Sequence, residues 1–314
     1  MRIMNRLSIW RGSVALLRSI IVSLLAVSST AAAAKAVPEA RIAVLGGTFV
    51  NDAIFHRDGL IRSEFTIDTP VGRSPTIYYA VHEGIPFYYV HAHGQGRWLE
   101  TWAALYDLGV EEAIGGATAG AIDRSMEVYD YVLVDDFIDL NVDRPIRIPK
   151  RAYRDPDAIP IPRFTPAVDT DIRAILLDET RNAILDDPDY EDIDIHDGGV
   201  VLQSRGGRFE TVAEVEMMAR LGGDLVTMNI ASEMTYARML GINYAAIGVI
   251  SNPAEGRGDW DFSLMEELYP RINPLSLDIV LASLPRIAAL EGKPRVDEGL
   301  INHPEMTSRQ KNQE

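Results

Sequence analysis

Apolar and polar positions along this chain follow two rhythms in turn. Residues 41–45 (RIAVL) form a short apolar run that stops at Gly46-Gly47-Thr48, which predicts a buried strand and a tight turn. Strand-like runs recur at residues 76–81, 86–91, 112–116, 131–134, 199–203, 225–228 and 245–250. Between them, helical spacing predicts helices over 99–108 (closed by Gly109), 170–184, a stretch ending at Gly222-Gly223, 232–240 and 274–290. Strands alternating with helices predict one α/β domain with a central mixed, mostly parallel sheet flanked by helices. Ligands of such sheets bind beyond the carboxyl ends of the strands, and most polar motifs of this chain fall there.

Three segments break the alternation. Residues 141–166 are rich in Pro, Arg and Asp and read as a long surface excursion, a lid or an oligomer contact. From residue 293 to 314 the tail is polar and loose. The first 36 residues carry Arg2, Arg6, Arg11, Arg18 and Lys35 and no acid, then the apolar run IIVSLLAV and small residues suited to cleavage. That order predicts a cleaved signal peptide over residues 1–36, leaving a domain over 37–292. Arg18 keeps the apolar run far short of the roughly 20 residues that span a bilayer, so stable membrane insertion is not expected. A periplasmic or secreted protein follows.

Composition narrows the chemistry. The 314 residues are 47% hydrophobic and 24% charged, as in an ordinary globular protein. Formal charge is -16, and loss of the basic leader makes the remainder more acidic still. Such a surface argues against nucleic acid as a partner, and any anion site must be built locally. The absence of cysteine excludes disulfides, thiolate metal sites and a cysteine nucleophile.

Residues 206–229 (GGRFETVAEVEMMARLGGDLVTMN) hold the most informative chemistry. Phe209 beside Glu210 offers a flat ring and a carboxylate, which suits a planar heterocycle bearing N–H groups. Gly46-Gly47-Thr48 lets backbone N–H groups approach an anion, although after a strand this triplet is more often a turn. His91 and His93 share a strand face, but with no third ligand in evidence no metal is assigned.

In wording, spacing and order, these motifs resemble the purine nucleoside and methylthioadenosine phosphorylase family over about residues 41–254. The family's GPxFET-AE matches at Gly206, Phe209, Glu210 and Thr211; its GG-[ST]-G matches up to Thr48, with Phe49 in place of the last glycine. Its RHG matches at His93-Gly94 only, because Ala92 replaces the arginine, and the segment that follows is shortened. TPVG (residues 69–72) and DDFID (135–139) match as structural turns, the first acid of the latter satisfying backbone at a strand end. The resemblance implies that Phe209 stacks on the base and Met228 packs on ribose, with Ala117 in a small-residue loop beside sugar and phosphate. Thr48, His93 and Asn229 would hold phosphate, with Arg97 supplying the missing charge. Asn252 and Glu210 would be the catalytic groups at the leaving base. An amide at Asn252 accepts from N7–H and donates to O6, and Ala254 lacks the second acid of the adenine-specific branch, so a 6-oxopurine is favoured.

The implied reaction is phosphorolysis of a purine, or 5′-methylthio-purine, nucleoside to the free base and pentose 1-phosphate. Inorganic phosphate is the co-substrate, no cofactor is needed, and a homotrimer is implied. Loss of the arginine leaves open a nucleosidase that uses water, or a non-catalytic exported nucleoside-binding protein.

Overall fold

The structure, a computed structural model, describes residues 37–57, 59–140, 144–145, 148, 162–185 and 187–290. The expected leader, the polar tail and most of the 141–166 excursion lie outside the described residues. Every described element belongs to one compact unit, which begins at Glu39.

Strand β1 (Ile42–Gly46) leads to the short helix α1 (Asp52–Arg57). Strands β2 (Ile61–Phe65), β3 (Asp68–Thr69), β4 (Gly72–Arg73), β5 (Ile77–His82) and β6 (Ile85–His91) follow. Helix α2 (Trp98–Asp107) precedes β7 (Glu112–Ala121), β8 (Tyr131–Leu133) and β9 (Asp136–Asp139). Helix α3 (Thr170–Leu185) leads to β10 (Ile195–His196), β11 (Val200–Gln203) and α4 (Val212–Arg220). Strand β12 (Leu225–Thr227), helix α5 (Ile230–Met239), β13 (Asn243–Pro253) and α6 (Leu264–Ala288) complete the order.

Eleven strands form one mixed, mostly parallel sheet, with the order β10-β8-β13-β7-β1-β6-β5-β2 along its main path. The three central strands β1, β7 and β13 pair in parallel and are buried along nearly their whole length, which is why they read as continuous apolar or small-residue runs. Strands β5 and β2 extend one edge as an antiparallel meander.

Strand β7 changes partner along its length, and this positions the site. It pairs with β1 through residues 112–114, then antiparallel with β12 through Gly120 and Ala121. Between those contacts, residues 115–119 pair only with β13, so the sheet opens on one side. Beyond β12, strands β11 and β9 continue in parallel as a separate flap of sheet.

Several expected boundaries move. The ATAGAI run is the second half of strand β7 rather than a loop, and Ser251-Asn252-Pro253 ends β13 rather than forming a turn. Small residues carry little intrinsic strand signal, but pairing along nearly the whole of both strands extends them. Helix α6 starts ten residues earlier than Pro274 suggested and runs through Pro270, Pro274 and Pro285. Its buried stripe, including Leu268, Ile272, Leu275 and Ile279, offsets the hydrogen bonds those prolines remove. The excursion is not wholly at the surface, since Arg144 and Ile148 are buried. Two structural expectations hold: Asp135 Oδ1 accepts from the Gly199 N–H at 3.2 Å, and TPVG forms the β3–β4 turn.

The loop that carries Phe209 and Glu210 is anchored at the start of α4. Thr211 Oγ1 accepts from Glu214 N at 3.2 Å, while the Glu214 carboxylate accepts from Thr211 N at 2.7 Å, a reciprocal capping box. Arg208 clamps the same carboxylate with bonds of 2.8 and 2.7 Å. Replacing Thr211 by Ala is expected to cost about 1 kcal/mol, measured by urea denaturation.

Candidate active site

The opening beside β7 becomes a cavity of about 850 Å³, within the range of small-molecule sites. Its walls bring together Thr48, His93, Ala117, Phe209, Glu210, Met228, Asn229 and Asn252, residues spread over more than 200 positions of sequence. Most sit at or just beyond a strand end; Phe209 and Glu210 lie in the loop before α4, and Ala117 in the stretch of β7 that pairs on one side only.

At one end the cavity is lined by flat and polar groups. Phe209 is 41% exposed and meets Trp260 edge-on at 5.3 Å and Phe262 at 5.7 Å between ring centroids. Glu210 beside it is only 8% exposed, and among the described residues no group hydrogen-bonds its carboxylate. Its oxygens are open to the cavity, so the carboxylate can accept from a donor that enters there. Asn252 is directed here by a bulge in β13, where the register against β7 shifts between Ile250 and Asn252. Its Oδ1 accepts from Ser251 Oγ and its Nδ2 donates to the Pro253 carbonyl, both at 2.8 Å. One N–H and one lone pair of the amide remain for a ligand.

The other end is a compact polar network around a buried carboxylate. Glu233, 4% exposed on the first turn of α5, accepts from Tyr244 Oη at 2.6 Å and from Asn229 Nδ2 at 2.9 Å. His93 Nε2 lies 3.2 Å from Glu233 Oε1 and 2.8 Å from Asn229 Nδ2; protonated it donates to the acid, and unprotonated it accepts from the amide. Burial, with Glu233 alongside, pushes the Tyr244 hydroxyl well above its usual range, so it stays a donor. Thr48 Oγ1 accepts from Thr118 N at 3.2 Å, which leaves its own proton to donate into the cavity.

Two glycines make this packing possible. A Cβ on Gly47 would stand 2.2 Å from His93 Nδ1, and one on Gly115 would stand 1.8 Å from Tyr244 Oη. Phe49, which replaces the family's further glycine, is wholly buried and fills the space that Gly116 leaves without a side chain. That substitution belongs to the core.

The "Phosphorylase superfamily" sequence profile matches residues 77–285, about two thirds of the chain. The chain belongs to the phosphorylase superfamily. A 6-oxopurine nucleoside phosphorylase of Pyrococcus furiosus is 30% identical over 266 residues, covering 79% of this chain and 93% of the relative. A "Probable S-methyl-5'-thioinosine phosphorylase" of Methanopyrus kandleri is 29% identical over 246 residues, covering 73% and 88%. Among solved structures, a methylthioadenosine phosphorylase from an antarctic soil metagenomic library superposes with a TM-score of 0.70 at 20% identity, covering 84% of this chain and 91% of that one. The apo methylthioadenosine phosphorylase of Schistosoma mansoni gives 0.69 at 19%, covering 83% and 96%. The two structures share the fold.

One expected site residue of this phosphorylase-superfamily chain is not at the cavity. Arg97 caps the start of α2, and its Nη1 donates to the Ser74 carbonyl at 3.3 Å, toward the β3–β4 side. The shortened segment after Gly94 enters α2 at once, which turns that side chain away. The structure adds residues that sequence reasoning missed. Glu233 stands one helical turn after Asn229, and that spacing was the signal for it. Trp260 and Phe262 were visible as aromatics in an otherwise polar stretch. Met265 and Tyr269 of α6 carried no such mark, because that part of the helix was not predicted.

Tyr244→Phe removes one of the donors to the buried Glu233 carboxylate. It is expected to cost about 1–3 kcal/mol, read from the shift in denaturation midpoint against the wild type.

Proposed function

We propose that this protein is a purine nucleoside phosphorylase selective for 6-oxopurine, or 5′-methylthio-6-oxopurine, nucleosides. The observation that carries the reading is one cavity with a ring, a bare carboxylate and an amide at one end, and a histidine–amide–hydroxyl cluster at the other. The names of the curated relatives support the same substrate class.

In this reading the base stacks on Phe209 and gives a ring N–H to Glu210. N7 takes a proton from solvent as the bond breaks; Asn252 accepts from the resulting N7–H and donates to O6, so the base leaves as a neutral purine. Met228 and Ala117 pack against the sugar. Phosphate, held by Thr48, His93 and Asn229, faces C1′. The C1′–N9 bond breaks early, the sugar passes through an oxocarbenium-like state, and a phosphate oxygen forms the new bond to C1′. Rate enhancement would come from positioning and from charge placed where it develops. The protein would be exported with its leader removed, assemble as a trimer, and need phosphate but no cofactor.

Ala92 favours a second reading. With no guanidinium where the family has an arginine, water can replace phosphate and the protein would be a nucleosidase.

Incubating the protein with inosine, guanosine and 5′-methylthioinosine, with and without phosphate, separates the readings. Base release that requires phosphate and yields a sugar 1-phosphate is expected. Release of free sugar at the same rate in both conditions would assign the nucleosidase, and binding without turnover would remove the enzyme reading altogether. Asn252→Asp is expected to move the kcat/KM ratio toward adenosine by about tenfold or more. An unchanged substrate profile would sink the assignment of Asn252 to the base.

A further inference from the structure

Arg144 is a buried cation in the cavity wall that the reaction above leaves unused. It comes from the excursion after β9 yet is only 7% exposed. Its Nη2 donates to the Met228 carbonyl at 2.8 Å, its Nη1 donates to Ser232 Oγ, and its guanidinium lies 4.2 Å over the Trp98 ring. Its Nε has no partner. All three groups it touches are neutral. Arginine does not shed its proton; the Glu233 and Asp139 carboxylates balance its charge through space, but its hydrogen-bonding fork is not filled by an anion.

The location tells which anion. Met228 immediately precedes Asn229, and Ser232 Oγ also contacts the Asn229 carbonyl at 2.9 Å. Arg144 therefore stands beside the Met228–Asn229 turn and within electrostatic reach of Glu233, at the polar end of the cavity. At that end Glu233 already counters any charge on His93, so the cluster contributes little net positive potential. Arg97 is turned away, and Arg205, the other arginine in the wall, is exposed.

We propose that Arg144 is the cation that binds the phosphate co-substrate, replacing the arginine absent at Ala92. The guanidinium would donate to phosphate through the Nη N–H groups that Ser232 and Met228 leave free, while Nη2 keeps its bond to the Met228 carbonyl. Stacking on Trp98 would hold the plane of the fork fixed. The inference rests on the phosphorolytic reading and deepens it.

The test compares wild type, Arg144→Gln and Arg144→Lys, with folding of each confirmed by circular dichroism and thermal melting. Initial rates are measured with phosphate and inosine varied separately, and binding of inorganic phosphate is followed by calorimetry. Arg144→Gln is expected to raise the KM for phosphate by about tenfold to a hundredfold, with the KM for inosine changed less than about threefold. Arg144→Lys keeps a charge but loses the fork, and should fall between. Equal shifts in both KM values, or a lower melting temperature with phosphate KM unchanged, would assign Arg144 to structural support of the α5 start and overturn the inference while phosphorolysis stands. A wild type that releases base without phosphate and shows no heat of phosphate binding would fail both. If Arg144→Gln does not fold, Arg144→Lys decides: an unchanged phosphate KM there overturns the proposal.

Discussion

The parallel pairing of β7 with β13 is the constraint on which the rest of the structure depends. Across residues 112–121 and 243–253 two strands of mostly small residues lie side by side in the middle of the sheet. Where they carry glycine, neighbours fill the space. Tyr244 occupies the place of a side chain at Gly115, Phe49 that at Gly116, and Leu225 that at Gly248. Side chains at these glycine positions would push the layers apart; their absence brings Tyr244, Phe49 and Leu225 up to the backbone. The same pairing leaves residues 115–119 of β7 open on one side, so the core and the cavity share a cause.

The charge of the molecule makes the polar end of that cavity a delicate construction. A chain with net charge -16 repels anions at long range, so attraction has to be supplied at short range by groups held in place. Glu233 looks out of place in such a site. Its carboxylate is buried, and Tyr244 and Asn229 satisfy it as donors, so it acts as an anchor that fixes the His93 ring and the Asn229 amide. Buried charge is tolerable when hydrogen bonds replace the water that was lost. Gly47 then allows the His93 side chain to approach the backbone that follows β1 closely. The opposite end is under-satisfied, with Glu210 bare and Asn252 half engaged. A folded chain retains such unmet demand where a ligand meets it.

Much of this was legible in the amino-acid order, because it depends on local rules. Apolar runs closed by glycine gave the central strands, and helical spacing located α2 to α5 within a residue or two. The aromatic–carboxylate pair at Phe209-Glu210 and the amide at Asn252 are legible in the same way, since side-chain type alone determines what they can donate or accept. The second half of β7 was missed because glycine and alanine have no pattern to read, and the start of α6 because prolines mask its buried stripe.

What the sequence by itself determined is the class of fold, the order of its elements and the chemical kinds of group at the strand ends. Only the tertiary structure decided which charged groups reach the cavity. Arg97, four residues after His93, turns out toward Ser74, while Arg144, from a stretch with no periodicity, turns in over Trp98. The physical reason is that a long side chain swings through several ångströms at a fixed backbone position. Its direction is set by packing and hydrogen bonds from residues far away in sequence, and no local pattern records them.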